Sequence, residues 1–146
     1  MVVITAPRLA VDATALVGRA RDTLRLGWEE RRWTRRRVTT TAGREVALAL
    51  PTGSVLEHGA ILALDADWYL EVEARPEALL AMFPSSHEEA LRIAFDVGNR
   101  HFTLATEGDA LLVPDDLAME QLASRLAVRW ERRLARFTPL DADECD

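Results

Sequence analysis

SSHEEALRIAFDVGNRHFTLAT, residues Ser85 to Thr106, holds the clearest helix of the chain and the point where it must end. Ser85 with Glu88, or Ser86 with Glu89, has the spacing of a capping box. Ala90, Ile93, Ala94 and Val97 repeat on one helical face, and Leu91 and Phe95 widen that stripe. Gly98 stands where a helix is commonly closed by a residue at positive φ. Asn99, Arg100 and His101 follow at once, and then the pattern becomes strand-like.

Working outward, PEALLAMF (76–83) is a short apolar run before the helix, ended by Pro84. After it, HFTLAT and ALLVP read as two strands joined by the turn Glu107-Gly108-Asp109. Asp115 or Asp116 caps a second helix with Leu117, Leu122, Ala123 and Leu126 facing the core. VRWERRLARF is a last strand or an extension of that helix. Strand, helix, strand, strand, helix, strand is the order of a split βαβ, ferredoxin-like domain.

The first half has a different texture. RVTTTAGREVALAL is rich in β-branched residues, breaks at Ala42-Gly43, and then alternates with Val46, Leu48 and Leu50 on one face. SVLEHGAILALD reads as two short strands around His58-Gly59, and DWYLEVEA alternates again. The stretch from Ala10 to Trp33 supports a helix or two strands, because Gly18 and Gly27 interrupt its helical spacing. The fold class expected is α+β: a small all-β domain over residues 1–72, a ferredoxin-like domain over 73–140, and an acidic tail at 141–146.

The 146 residues include 18 arginines and no lysine against 24 acids, for a net charge of −6. That balance argues against nucleic acid as the main partner. No apolar run approaches the ~18 residues of a membrane helix, and the N-terminus lacks the pattern of a signal peptide. With one cysteine, Cys145, no disulfide forms within the chain. A soluble cytoplasmic protein is expected.

There is no CxxC, HxH or HExxH pattern, no phosphate loop and no nucleophile elbow. The chain has three histidines. His101 has two readings: a metal ligand or proton-transfer group, or a cap on the last helical carbonyls. One histidine makes no metal site by itself, but a two-fold axis beside it pairs two imidazoles. Asn99 and Arg100 read as turn-forming, His58 as a solvated turn residue, and His87 as poorly placed at a helix start. The tail DADECD is either a solvating terminus or an arm offering Asp143, Glu144 and Cys145 to a transition ion. Arg31-Arg32 and Arg35-Arg36-Arg37, with Trp28 and Trp33, form a basic-aromatic cluster of the kind that binds nucleic acid, but nearby Asp22, Glu29 and Glu30 dilute it and favour a solvated strand pair or a protein-docking face.

RVTTTAGREVALALPTGSVLEHGAIL (37–62) resembles the Thr-x-x-Gly-Arg-Glu-Val and Leu-Pro-x-Gly-x-Val-Leu segments of the urease accessory protein UreE family, and AFDVGNRHFTL (94–104) matches its Gly-Asn-Arg-His block. The resemblance runs from about Arg32 to Leu140. It implies a partner-docking β domain and a dimerising, metal-binding domain. It also implies a nickel metallochaperone, not an enzyme, whose interfacial histidine, here His101, binds Ni(II) with its twin. Zn(II) or Cu(II) would compete. The implied partners are a second copy, the other urease accessory proteins and apo-urease, with no nucleic acid and no membrane. Gly98, Asn99 and Arg100 would shape the turn or its surroundings. Three places depart from the family pattern: Asp115 is followed by Asp116 where many members have histidine, the tail is not histidine-rich, and Gly59 is followed by Ala60. A protein-interaction module of the same assembly with weak or no metal binding is the alternative. An enzyme using His101 with Arg100 is a further rival.

Overall fold

The computed structural model describes residues 1–140, so Asp143, Glu144 and Cys145 lie outside the described residues. The chain forms two compact units that divide at Arg75/Pro76. The division expected from the sequence, after residue 72, falls inside a strand, Trp68–Ala74.

The N-terminal unit contains β1 (Val2–Ile4), β2 (Ala20–Leu26), β3 (Arg35–Thr39), β4 (Glu45–Ala49), β5 (Ile61–Leu64) and β6 (Trp68–Ala74). They form two three-stranded sheets, β1-β4-β3 and β2-β6-β5. Alternation explains the shared core. Val46, Leu48 and Leu50 are buried from one sheet; Leu70, Val72, Leu24 and Leu26 are buried from the other. In each sheet the strand nearest the N-terminus pairs in parallel, β1 with β4 and β2 with β6. β3 and β4 form the expected hairpin, with Gly43 at φ +90° in its turn.

Two local expectations are corrected. The ambiguous stretch is two 3-10 turns, Ala13–Leu16 and Glu30–Arg32, on either side of strand β2. The alternating burial of Leu24 and Leu26 against β6 outweighs the helical spacing. SVLEHGAILALD holds one strand, not two. Glu57 to Ala60 is a turn, closed by Ala60 N–H to Glu57 O and tied to β6 by Gly59 N–H to Val72 O at 2.8 Å.

A buried carboxylate joins β2 to the hairpin. Asp22 is 3% exposed. It accepts the Thr40 hydroxyl (2.6 Å), the N–H groups of Thr23 (2.8 Å) and Ala42 (3.0 Å), and the Arg44 guanidinium (2.9 Å). Burial alone would raise its pKa. The donors from Thr40, Ala42, Arg44 and Thr23 outweigh it and hold the carboxyl below the ordinary 3.8.

The C-terminal unit contains β7 (Glu77–Phe83), α1 (His87–Asn99), β8 (Ala105–Glu107), β9 (Ala110–Pro114), α2 (Leu117–Arg125) and β10 (Arg129–Ala135). The sheet order is β10-β7-β9-β8, antiparallel throughout. This is the split βαβ arrangement: each helix carries the chain past one intervening strand. Leu80, Met82 and Val113 from the sheet meet Ile93, Val97, Met119 and Leu122 from the helices. Burying each such side chain contributes roughly 1.5–3 kcal/mol. The strand after α1 starts only at Ala105, and VRWERRLARF provides β10 rather than more helix. Leu117, expected in the core, is 66% exposed; Met119 takes that place.

Candidate metal-binding turn

Ser86 caps α1 by accepting the Glu89 N–H at 3.1 Å, while the Glu89 carboxylate reaches back to the Ser85 N–H at 3.1 Å. Ile93 and Val97 are fully buried. Leu91 and Phe95 do not widen the buried stripe as expected; they are 59% and 72% exposed. At 100° per residue they lie roughly 110° and 150° from the centre of the stripe set by Ala90, Ile93, Ala94 and Val97.

The end of α1 is also not where the glycine predicts. Gly98 is inside the helix, and the residue at positive φ is His101, at +63°. Arg100 is the C-cap, with φ −92° and ψ 6°. Phe102 N–H donates to Val97 O (3.2 Å) and His101 N–H to Gly98 O (3.0 Å). These two bonds make a Schellman motif. Val97 is buried in the second core, and the half-buried Phe102 packs against that core. The left-handed conformation costs an L-residue roughly 1–2 kcal/mol, which glycine escapes. The two backbone bonds, with Phe102 anchored against the core, hold the chain in it and leave His101 exposed at the tip.

The neighbours divide by role. Asn99 and Gly98 are exposed; Arg100 is half-buried, its Nε enclosed without a hydrogen-bond partner among the described residues. His58 is exposed, but its Nδ1 accepts the Ala74 N–H at 3.1 Å and so fastens a turn to β6. His87 begins α1, about 20 Å from His101 by the rise of the helix. His87 and His101 are therefore not gathered. Among the described residues, no three His, Cys, Asp or Glu side chains are grouped so as to hold a metal ion. Asp116 caps α2 through the Ala118 N–H, and Asp115 lies 3.5 Å from Arg132. Leu140, the last described residue, donates its N–H to Leu104 O at 2.7 Å, in the segment that follows His101.

Sequence reading missed Leu91 and Phe95 as surface residues. The signal was their angle: both are large, apolar and off the stripe. They lead along one face of α1 towards the turn that carries His101.

Residues 7–75 match the model of the UreE urease accessory protein N-terminal domain, and residues 73–145 that of its C-terminal domain. The chain is similar to the urease accessory protein UreE of Synechococcus sp. (strain JA-3-3Ab), 36% identical over 114 residues, 77% of this chain and 76% of that protein. It is 36% identical over 127 residues to that of Ralstonia nicotianae, covering 87% of this chain and 60% of that longer protein. With that of Deinococcus radiodurans it shares 36% over 108 residues, 74% of this chain and 70% of that one.

Proposed function

The chain belongs to the UreE urease accessory protein family, and from that premise we propose that it is a non-enzymatic, cytoplasmic homodimer that carries Ni(II) to apo-urease and its accessory proteins. The observation that carries the reading is His101: an exposed imidazole held at positive φ by the Schellman motif that closes α1, where glycine would be cheaper. Positive φ alone does not single it out, since the exposed Ala127 ends α2 in the same way at +55°; His101 is the one of the two that presents a metal-capable imidazole. Leu91 and Phe95, exposed on the same helix, supply an apolar face for a second copy. A two-fold axis along that face brings the two His101 side chains together.

Imidazole nitrogen suits Ni(II), and the Irving–Williams order makes Cu(II) and Zn(II) competitors. Asp143, Glu144 and Cys145, which lie outside the described residues, are the auxiliary ligands in this reading. Gly98, Asn99 and Arg100 shape the turn. Two imidazoles with water or tail ligands form an incomplete cage, which releases its metal more readily than a closed one. Protons compete for the same nitrogens, so affinity falls as pH falls.

One observation favours a weaker version, an assembly module with little or no metal binding. Asp115 and Asp116 are already engaged, in an ion pair and a helix cap, and supply no auxiliary histidine.

Calorimetric titration with Ni(II), beside light scattering, tests the proposal. The expected result is about one nickel per dimer, lost in His101→Ala while the dimer persists. Unchanged binding in His101→Ala overturns the assignment, and no binding in either protein leaves the assembly module.

A further inference from the structure

β3 is an edge strand: in the sheet β1-β4-β3 it pairs with β4 alone. Its pairing parity follows from the ladder ends. Leu50 N–H bonds to Thr34 O at 2.8 Å, and Thr40 N–H to Arg44 O at 2.9 Å. Hydrogen-bonded pairs alternate along an antiparallel ladder, so Arg36 and Val38 turn their backbone groups to β4. Arg35, Arg37 and Thr39 turn theirs to the free edge. Among the described residues, no other backbone group pairs with those three.

The side chains at that edge are charged and unmatched. Arg35 and Arg37 are exposed on one face of the strand, opposite Ala49 and Ala47 of β4. Neither makes an ion pair among the described residues. The contrast with β2 is direct: there Arg21 faces Glu71 at 3.4 Å and Arg25 faces Glu73 at 3.1 Å across the strands. Arg36, on the other face, is stacked 3.9 Å over Trp33. The charge is also local. Residues 1–75 carry eleven arginines against ten acids, while the rest of the chain carries seven against fourteen.

We propose that the free edge of β3 docks an extended acidic segment of a partner protein, which adds as a strand beside Arg35–Thr39. Backbone groups of the incoming strand pair with Arg35, Arg37 and Thr39. Carboxylates two residues apart on that strand meet the Arg35 and Arg37 guanidiniums, because residues two apart share a face. Main-chain pairing gives affinity, and the alternate side chains give specificity. A charged edge also deters self-pairing. Edge protection alone would be served as well by arginines with acidic cross-strand neighbours, and β4 offers alanines directly opposite both, its one acid, Glu45, standing opposite Thr39. This inference does not rest on metal binding, and loss of the His101 site would leave it standing.

The test uses the full chain and a labelled peptide of alternating glutamate and valine. Binding is expected, weakened by salt, with amide exchange slowed at Arg35, Arg37 and Thr39. The double variant Arg35→Glu/Arg37→Glu should weaken it by roughly tenfold or more with an unchanged far-UV spectrum, and Arg35→Lys/Arg37→Lys should keep most of it. A peptide N-methylated at alternate amides should lose binding, since it keeps its charge but cannot join the sheet. Absence of binding, equal binding by the Glu variant, equal binding of the N-methylated or lysine-valine peptide, or protection elsewhere overturns the proposal. Tighter binding of single-stranded RNA at the same arginines also overturns it.

Discussion

His101 sets a conflict between stability and side-chain chemistry at a single position. Its φ of +63° is disfavoured for any residue with a Cβ. His101→Gly removes a cost of roughly 1–2 kcal/mol and gives back about 0.4–1 kcal/mol through the freer unfolded chain. The net expectation is a gain of about 0.5–1 kcal/mol, with nickel binding lost. His101→Ala keeps the Cβ and gains nothing. Denaturant midpoints of the three proteins in chelator check this; equal midpoints for the Gly and Ala variants would refute the strain. The histidine itself was visible in the sequence, in Gly-Asn-Arg-His. Its backbone state was not. Gly98 offered the obvious stop, but the helix runs on until Phe102 reaches the core, a tertiary placement that sequence spacing does not weigh.

At the scale of elements, the tie between β2 and the β3–β4 turn is the most pH-sensitive join identified in the fold. Asp22→Asn removes the charge opposite Arg44 and weakens the bonds from Thr23, Thr40 and Ala42, at a cost of roughly 2–3 kcal/mol at neutral pH. Because the folded pKa lies below the unfolded value, Asp22 contributes fully above the ordinary carboxylate range. That contribution is lost as pH falls through the lower folded pKa. Urea midpoints of the two proteins should therefore draw together only once pH falls below the ordinary carboxylate range; parallel curves there would contradict the account. The hairpin was legible because β-branched residues and Gly43 act locally. Strand β2 was not, because Asp22 and Thr23 are buried in it and break the apolar alternation that marks a strand. α1 was legible from its period, but its outward residues needed the angle and not only the spacing.

For the whole molecule, the proposed dimer rests on the outward face of α1. Phe95→Asp should leave the far-UV spectrum intact, since the side chain is 72% exposed, and shift sedimentation from dimer to monomer at micromolar concentration. Nickel affinity should fall with it, because the second imidazole is lost. A dimer that survives the change would move the interface elsewhere. The ferredoxin-like order was readable because its hairpin and helices declare themselves locally. The N-terminal sheets were less so. Their first strands join by parallel pairing with partners far along the chain, and β1, at Val2–Ile4, is too short to show a period of its own.

That parallel pairing also sets an order of events during synthesis. Val2 pairs with Val46, Ala20 with Trp68, and Leu26 with Ala74. A chain leaving the ribosome N-terminus first exposes β1 and β2 long before their partners exist. The β3–β4 and β5–β6 hairpins close over short loops; β1 can dock once β4, which ends at Ala49, has emerged, and β2 only once β6, which ends at Ala74, has. Long-range parallel pairing is intrinsically slow, so the nascent N-terminal unit stays open until the ferredoxin-like half is already being made.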